Sequence, residues 1–173
     1  MAAGTVRPSR DEAAEYYFNY IDLVAAGDIC DILAQQRAET IALLRSVPPE
    51  RARHRYAADK WSVSGVVAHL NDCERLFTFR AFWFARGFES PLPSFNQDAA
   101  ASHDGADERS WDSHIGEFAA VREATLQLFS HLPADAWLRR GIASDNPFSV
   151  RALAFVTAGH VIHHSRILSE RYL

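Results

Sequence analysis

Proline occurs at 8, 48, 49, 91, 93, 133 and 147 and nowhere inside the long stretches between those points. A proline in a helix interior removes a hydrogen bond and clashes with the preceding turn, so these gaps are free to be helical. Within them the apolar residues recur at helical spacing. Four helices are expected: about 28–47, 62–86, 110–130 and 149–172. Their inward stripes are Ile29, Ile32, Leu33, Ala38, Ile41, Leu44 and Val47; Val63, Val66, Val67, Leu70, Phe77, Ala81 and Phe84; Ile115, Phe118, Val121, Thr125, Leu128 and Phe129; and Val150, Leu153, Thr157, Val161, Ile167 and Leu168. Asp28 and Ser62 suit N-caps, and Asn146-Pro147 with Ser149 supply the start signals of the last helix. Apolar–polar alternation is nowhere sustained, so an all-α four-helix bundle is the expected fold. The stretch 87–109 is too long for a tight turn and reads as a crossover between helices 2 and 3. Residues 1–27 form an arm packing on the bundle, and 28–173 a single bundle domain.

Composition narrows the function. The chain has 173 residues, enough for one sizeable core, and a formal net charge of −4. Lys60 is the sole lysine, and no basic run exists, which argues against nucleic-acid binding. Charges break every apolar stretch, so no membrane span is expected. The first ten residues lack an apolar signal core, and two cysteines, Cys30 and Cys73, fit a reducing cytoplasm.

The chemistry concentrates in the histidines. Gly159-His160-Val161-Ile162-His163-His164 places three imidazoles on the last helix. His160 and His164 are four residues apart and share the inward face, about 40° from one another, whereas His163 lies to the side. Two imidazoles on one buried face are costly unless they bind something, and a divalent metal ion is the natural occupant. His69, beside the stripe of the second helix, is the candidate third ligand. Spacing alone does not set the register that would bring it near. Three histidines leave one position open, the layout of a catalytic metal. Cys73, four residues from His69, reads as a small buried hydrophobe or as a thiolate near the metal. Asp72, Glu74 and His163 are candidate proton-handling groups, although Glu74 next to Arg75 reads better as an ion-pair partner. His54, His103, His114 and His131 lie in or near joints and read as surface residues.

Several stretches carry a family resemblance: Tyr56-Ala57 with Lys60-Trp61-Ser62-Val63, Ala68-His69-Leu70 leading to Glu74-Arg75 and Phe79-Arg80, Pro91-Leu92-Pro93, Ser149-Val150-Arg151-Ala152-Leu153, and Gly159-His160 through His163-His164 to Glu170-Arg171-Tyr172-Leu173. In order and spacing they resemble the DinB/YfiT-like superfamily, in its DinB-2 branch, over almost the whole chain. The resemblance implies a four-helix bundle with a metal site at His69, His160 and His164. It implies nickel or zinc, with iron or manganese as alternatives, and a homodimer. Relatives act with low-molecular-weight thiols, so S-transfer on a small-molecule substrate is the expected activity. A metal-dependent hydrolase and a non-catalytic metal-binding or stress-related interaction module are the alternatives. The sequence departs from the family at Asn96, Cys73 and Gly65, which stand where an acid, a threonine and an acid are frequent. The last departure removes a capping-box partner for Ser62.

Overall fold

The computed structural model describes residues 6–173. After an arm containing a short helix α1 (Phe18–Ile21), the long helices are α2 (Ile29–Ser46), α3 (Val63–Ala85), α5 (Trp111–Ser130) and α6 (Val150–Ile167). A five-residue helix α4 (Gln97–Ala101) lies in the connection between α3 and α5. Caps set the starts: Asp28 accepts from the Cys30 amide, Ser62 from Gly65, Ser110 from Ser113 and Ser149 from Ala152. Beyond Ile167 the backbone loosens into a π turn, Leu168–Tyr172.

Helix α2 packs on α5, α5 on α3, α3 on α6 and α6 on α2, closing a ring of four. The arm lies along α6 through α1. The approach is close: a Cβ on Gly159 would stand 2.1 Å from the Tyr20 carbonyl oxygen. Arg7 fastens the far side of α1, donating to the carbonyls of Ile21 and Val24.

Two apolar cores fill the bundle. One holds Ile29, Leu33, Phe77, Phe84, Phe129 and Leu153, and the other Leu44, Val67, Leu70, Trp111, Phe118 and Val161. Between them lies a polar layer. Arg122 makes a bidentate pair with Glu74, Nε to Oε1 at 2.7 Å and Nη2 to Oε2 at 2.8 Å, and its Nη1 donates to Gln36 Oε1 at 2.7 Å. Thr125 donates to Glu74, and Gln36 to the Ala158 carbonyl. The α2 stripe is therefore turned from its expected position, with Gln36 and Thr40 buried and Ala38 exposed. These polar residues are inward because the layer satisfies them.

A hairpin stands where none was expected. Strands β1 (Arg140–Ala143) and β2 (Asn146–Ser149) pair antiparallel around Ser144-Asp145, both with positive φ. Asn146-Pro147 therefore belongs to a strand rather than to a helix start. Gly141 is required there, since a Cβ would meet the Phe84 ring at 2.0 Å. No helix among the described residues is long and apolar enough to cross a membrane.

Candidate metal centre

At the level of the polar layer, α3 and α6 bring three imidazoles together. One ring nitrogen from each of His69, His160 and His164 lies within 4.8 Å of the other two. His69 Nε2 and His160 Nε2 are 3.1 Å apart. The i, i+4 spacing stacks His160 and His164 on one face of α6. His69 reaches them because α3 packs along α6.

All three rings are held neutral. Burial lowers His69 to about 4 and His164 to about 3, and it lowers His160 well below the usual histidine range, with the neighbouring imidazoles adding to the effect. A neutral imidazole offers a lone pair, so the cluster is a set of three donors at neutral pH. His164 Nδ1 is buried and makes no hydrogen bond, while Trp61 covers the His69 ring at 4.8 Å between centroids.

The other candidates fall around this cluster. Cys73 Sγ is 3.6 Å from His69 Nδ1, and burial pushes its thiol up to about 12. His163 is half-buried at the edge, its ring 5.5 Å from Tyr20. Asp72 pairs with Arg75 at 3.7 Å and stands outside the cluster. Glu74 is an ion-pair partner, but of Arg122 across the core rather than of adjacent Arg75, which pairs with Glu117. His114 is fully buried, with Nε2 2.9 Å from the Ala106 carbonyl oxygen, because the connection folds back over the start of α5. Asn96 caps α4, accepting from the Asp98 and Ala99 amides. Ser62 Oγ accepts from the Gly65 amide and donates to Asp107 at 2.6 Å.

Two cavities flank the histidines. One, of about 250 Å³, reaches His164 past Trp61, Lys60, Asp98 and Tyr172. The other, of about 190 Å³, reaches His160 and Cys73 from between the arm, the connection and the hairpin turn. Sequence reading missed Asp98 and Arg80 on their walls. Arg80 stands in the Phe79-Arg80 stretch of the family resemblance, but neither residue is marked as lining a site, because their surroundings come from distant segments.

No curated protein matches the chain significantly. Among solved structures it is similar to YfiT from Bacillus subtilis, described as a probable metal-dependent hydrolase with an unusual four-helix bundle topology. The TM-score is 0.73 at 15% identity, covering 96% of this chain and 91% of that one. It is also similar to the mycothiol-dependent maleylpyruvate isomerase, with a TM-score of 0.70 at 11% identity, covering 84% of this chain and 61% of that one. At these identities the likeness is one of fold. The profile of the DinB superfamily matches residues 32–168, a span that contains α3, α6 and all three clustered histidines, and the chain belongs to that superfamily.

Proposed function

We propose that the chain is a metal-dependent enzyme acting on a small molecule, with His69, His160 and His164 holding a divalent ion. The observation that carries this is the convergence of three neutral ring nitrogens within 4.8 Å. A single ion bonded to imidazoles at about 2.1 Å asks for donors roughly 3.4 Å apart in a tetrahedral set. The 3.1 Å between His69 and His160 lies close to that spacing. His164 Nδ1 is buried without a partner, as is Nδ1 of the solitary core residue His114, so the convergence of three rings, and not the bare nitrogen, carries the reading. Three imidazoles suit zinc and nickel, and also iron or manganese.

When bound, a divalent ion here lowers the pKa of a water or thiol that takes its remaining position. The chain's own groups supply the rest. Asp98 shares the cavity with His164, and its charge is felt at His69, so its carboxylate can accept the proton that such a nucleophile gives up. Trp61 shields His69 from bulk water. The likeness in fold to YfiT, a probable metal-dependent hydrolase, supports hydrolysis as the reaction. The second cavity, beside His160, favours S-transfer from a low-molecular-weight thiol as the next reading, because two reactants need two approaches. A homodimer, as in the wider family, belongs to the same proposal.

The test begins with metal content. Tag-free protein reconstituted with zinc or nickel is expected to hold about one equivalent per chain, and His164→Ala to lose most of it. Less than about a tenth of an equivalent in the wild type overturns the reading. Metal-loaded protein is then offered ester substrates, and separately small thiols with electrophilic acceptors. Metal binding without turnover in either set leaves the non-catalytic module.

A further inference from the structure

The bundle buries three arginines, and two of them have a carboxylate. Arg122 is paired with Glu74, and Arg151 with Glu12, which also accepts from Ser149. The third, Arg80, is only 2% exposed and pairs with no acid among the described residues. Residues 1–5 contain none either. The Arg80 Nη2 donates to the Pro93 carbonyl at 3.0 Å and to Ser144 Oγ at 2.8 Å, both neutral, and its Nε is buried without any hydrogen bond. A buried guanidinium without a counter-charge is a standing destabilisation, and a chain that twice supplies a carboxylate to such a group omits it here.

The omission falls in a cavity. Arg80 lines the 190 Å³ space that also reaches His160 and Cys73. Tyr16, Tyr17 and Tyr20 line it from the arm, Phe77 from α3 and Phe95 from the connection. The hydroxyls of Tyr16 and Tyr20 stand 3.2 Å apart, and the Tyr17 hydroxyl lies near the guanidinium. Drug-sized pockets run to roughly 300–1,000 Å³, so this one suits a smaller body.

We infer that Arg80 anchors the carboxylate of a small, partly apolar organic acid seated in this cavity, with the rest of the molecule directed toward the histidine cluster. The planar guanidinium matches a carboxylate in a two-point contact, the acid displacing the Ser144 hydroxyl from Nη2, and the aromatic walls accept a flat apolar body. Among the described residues no other guanidinium or ammonium lines the cavity, so a single negative charge is matched, whereas a phosphate dianion would be half-compensated. Calling this acid the substrate rests on the proposed metal-dependent activity. The anchoring contact itself does not.

The experiment uses the full chain, as purified and after dialysis against EDTA. Calorimetry follows binding of benzoate, of its neutral isostere benzamide and of inorganic phosphate. Benzoate is expected to bind saturably in both preparations, with benzamide and phosphate at least about tenfold weaker. Arg80→Met should weaken benzoate at least about tenfold and raise the thermal midpoint of the ligand-free protein. Arg80→Lys, which keeps the charge but loses the fork, should fall between the two. Benzamide binding as well as benzoate, phosphate binding better, or either variant binding benzoate as the wild type does overturns the inference. So does the absence of benzoate binding. Metal uptake on reconstitution without benzoate binding overturns this inference alone, and benzoate binding by a protein that takes up no metal on reconstitution overturns the metal reading alone.

Discussion

Glu74 offers a sharp test of how the site is supported. The substitution Glu74→Gln keeps the size of the side chain and removes its charge. Arg122 is 0% exposed, and both Nε and Nη2 point at the two carboxylate oxygens. A glutamine retains one acceptor and turns the other position into a donor facing a donor. Breaking a buried ion pair from one side costs about 3–5 kcal/mol, because a bare charge remains. For a domain of this size each kcal/mol moves the midpoint by about 2–4 °C, so a fall of roughly 6–20 °C is expected. Urea denaturation at neutral pH reads the free energy directly, with an unchanged m-value guarding against a change of mechanism. The double variant Glu74→Leu with Arg122→Met removes both charges and should recover most of the loss. A single variant costing under about 1 kcal/mol, or a double variant no better than the single, would refute the assignment of Glu74 to balancing Arg122. The Glu74 carboxylate stands outside the histidine cluster, committed to Arg122 and Thr125.

In chelated protein His69 is held at about 4 by burial, against 6.5 when unfolded. The unfolded chain therefore binds the extra proton first, and stability falls as pH drops below about 6.5, by up to ~3 kcal/mol for this residue once pH 4 is passed. Glu12 adds a second window. Burial raises its carboxyl, but hydrogen bonds from Arg151, Ser149 and Ser9 outweigh that and hold it at about 2, so its contribution is lost below about 4.5. Chemical denaturation between pH 7 and 3 checks both, and a flat profile would contradict them. Gly159→Ala places a methyl against the Tyr20 carbonyl and should cost about 1–3 kcal/mol. Faster proteolysis of the arm is the expected signature, and an unaltered arm would show that α1 does not bear on α6 as described.

The helices were legible because their signals are local. Asp28, Ser62 and Ser149 cap where expected, and the stripe of α3 is buried at every named position. The histidine pair on α6 was legible for the same reason, since four residues make one turn. The distance between His69 and α6 was not, because helical periodicity carries no register; only the family resemblance pointed there. The hairpin escaped notice because its strands are four residues each and its turn, Ser144-Asp145, lacks the glycine that would announce it. Gln36, Glu74 and Arg122 look like surface residues in isolation. Their burial depends on partners 48 and 86 positions away.

The polar layer has a mechanical meaning. Apolar stripes of Leu, Val and Phe tolerate sliding, since one turn of displacement exchanges one greasy contact for another. Glu74, Arg122, Gln36 and Thr125 do not tolerate it, because a one-turn slip of about 5.4 Å would strand a naked guanidinium between two oily halves. The layer is thus a detent that locks the helices lengthwise. His69 sits five residues before Glu74 on the same helix, and its 3.1 Å approach to His160 is indexed by that lock. The ion pair thus sets the calibration of the histidine cluster without touching it.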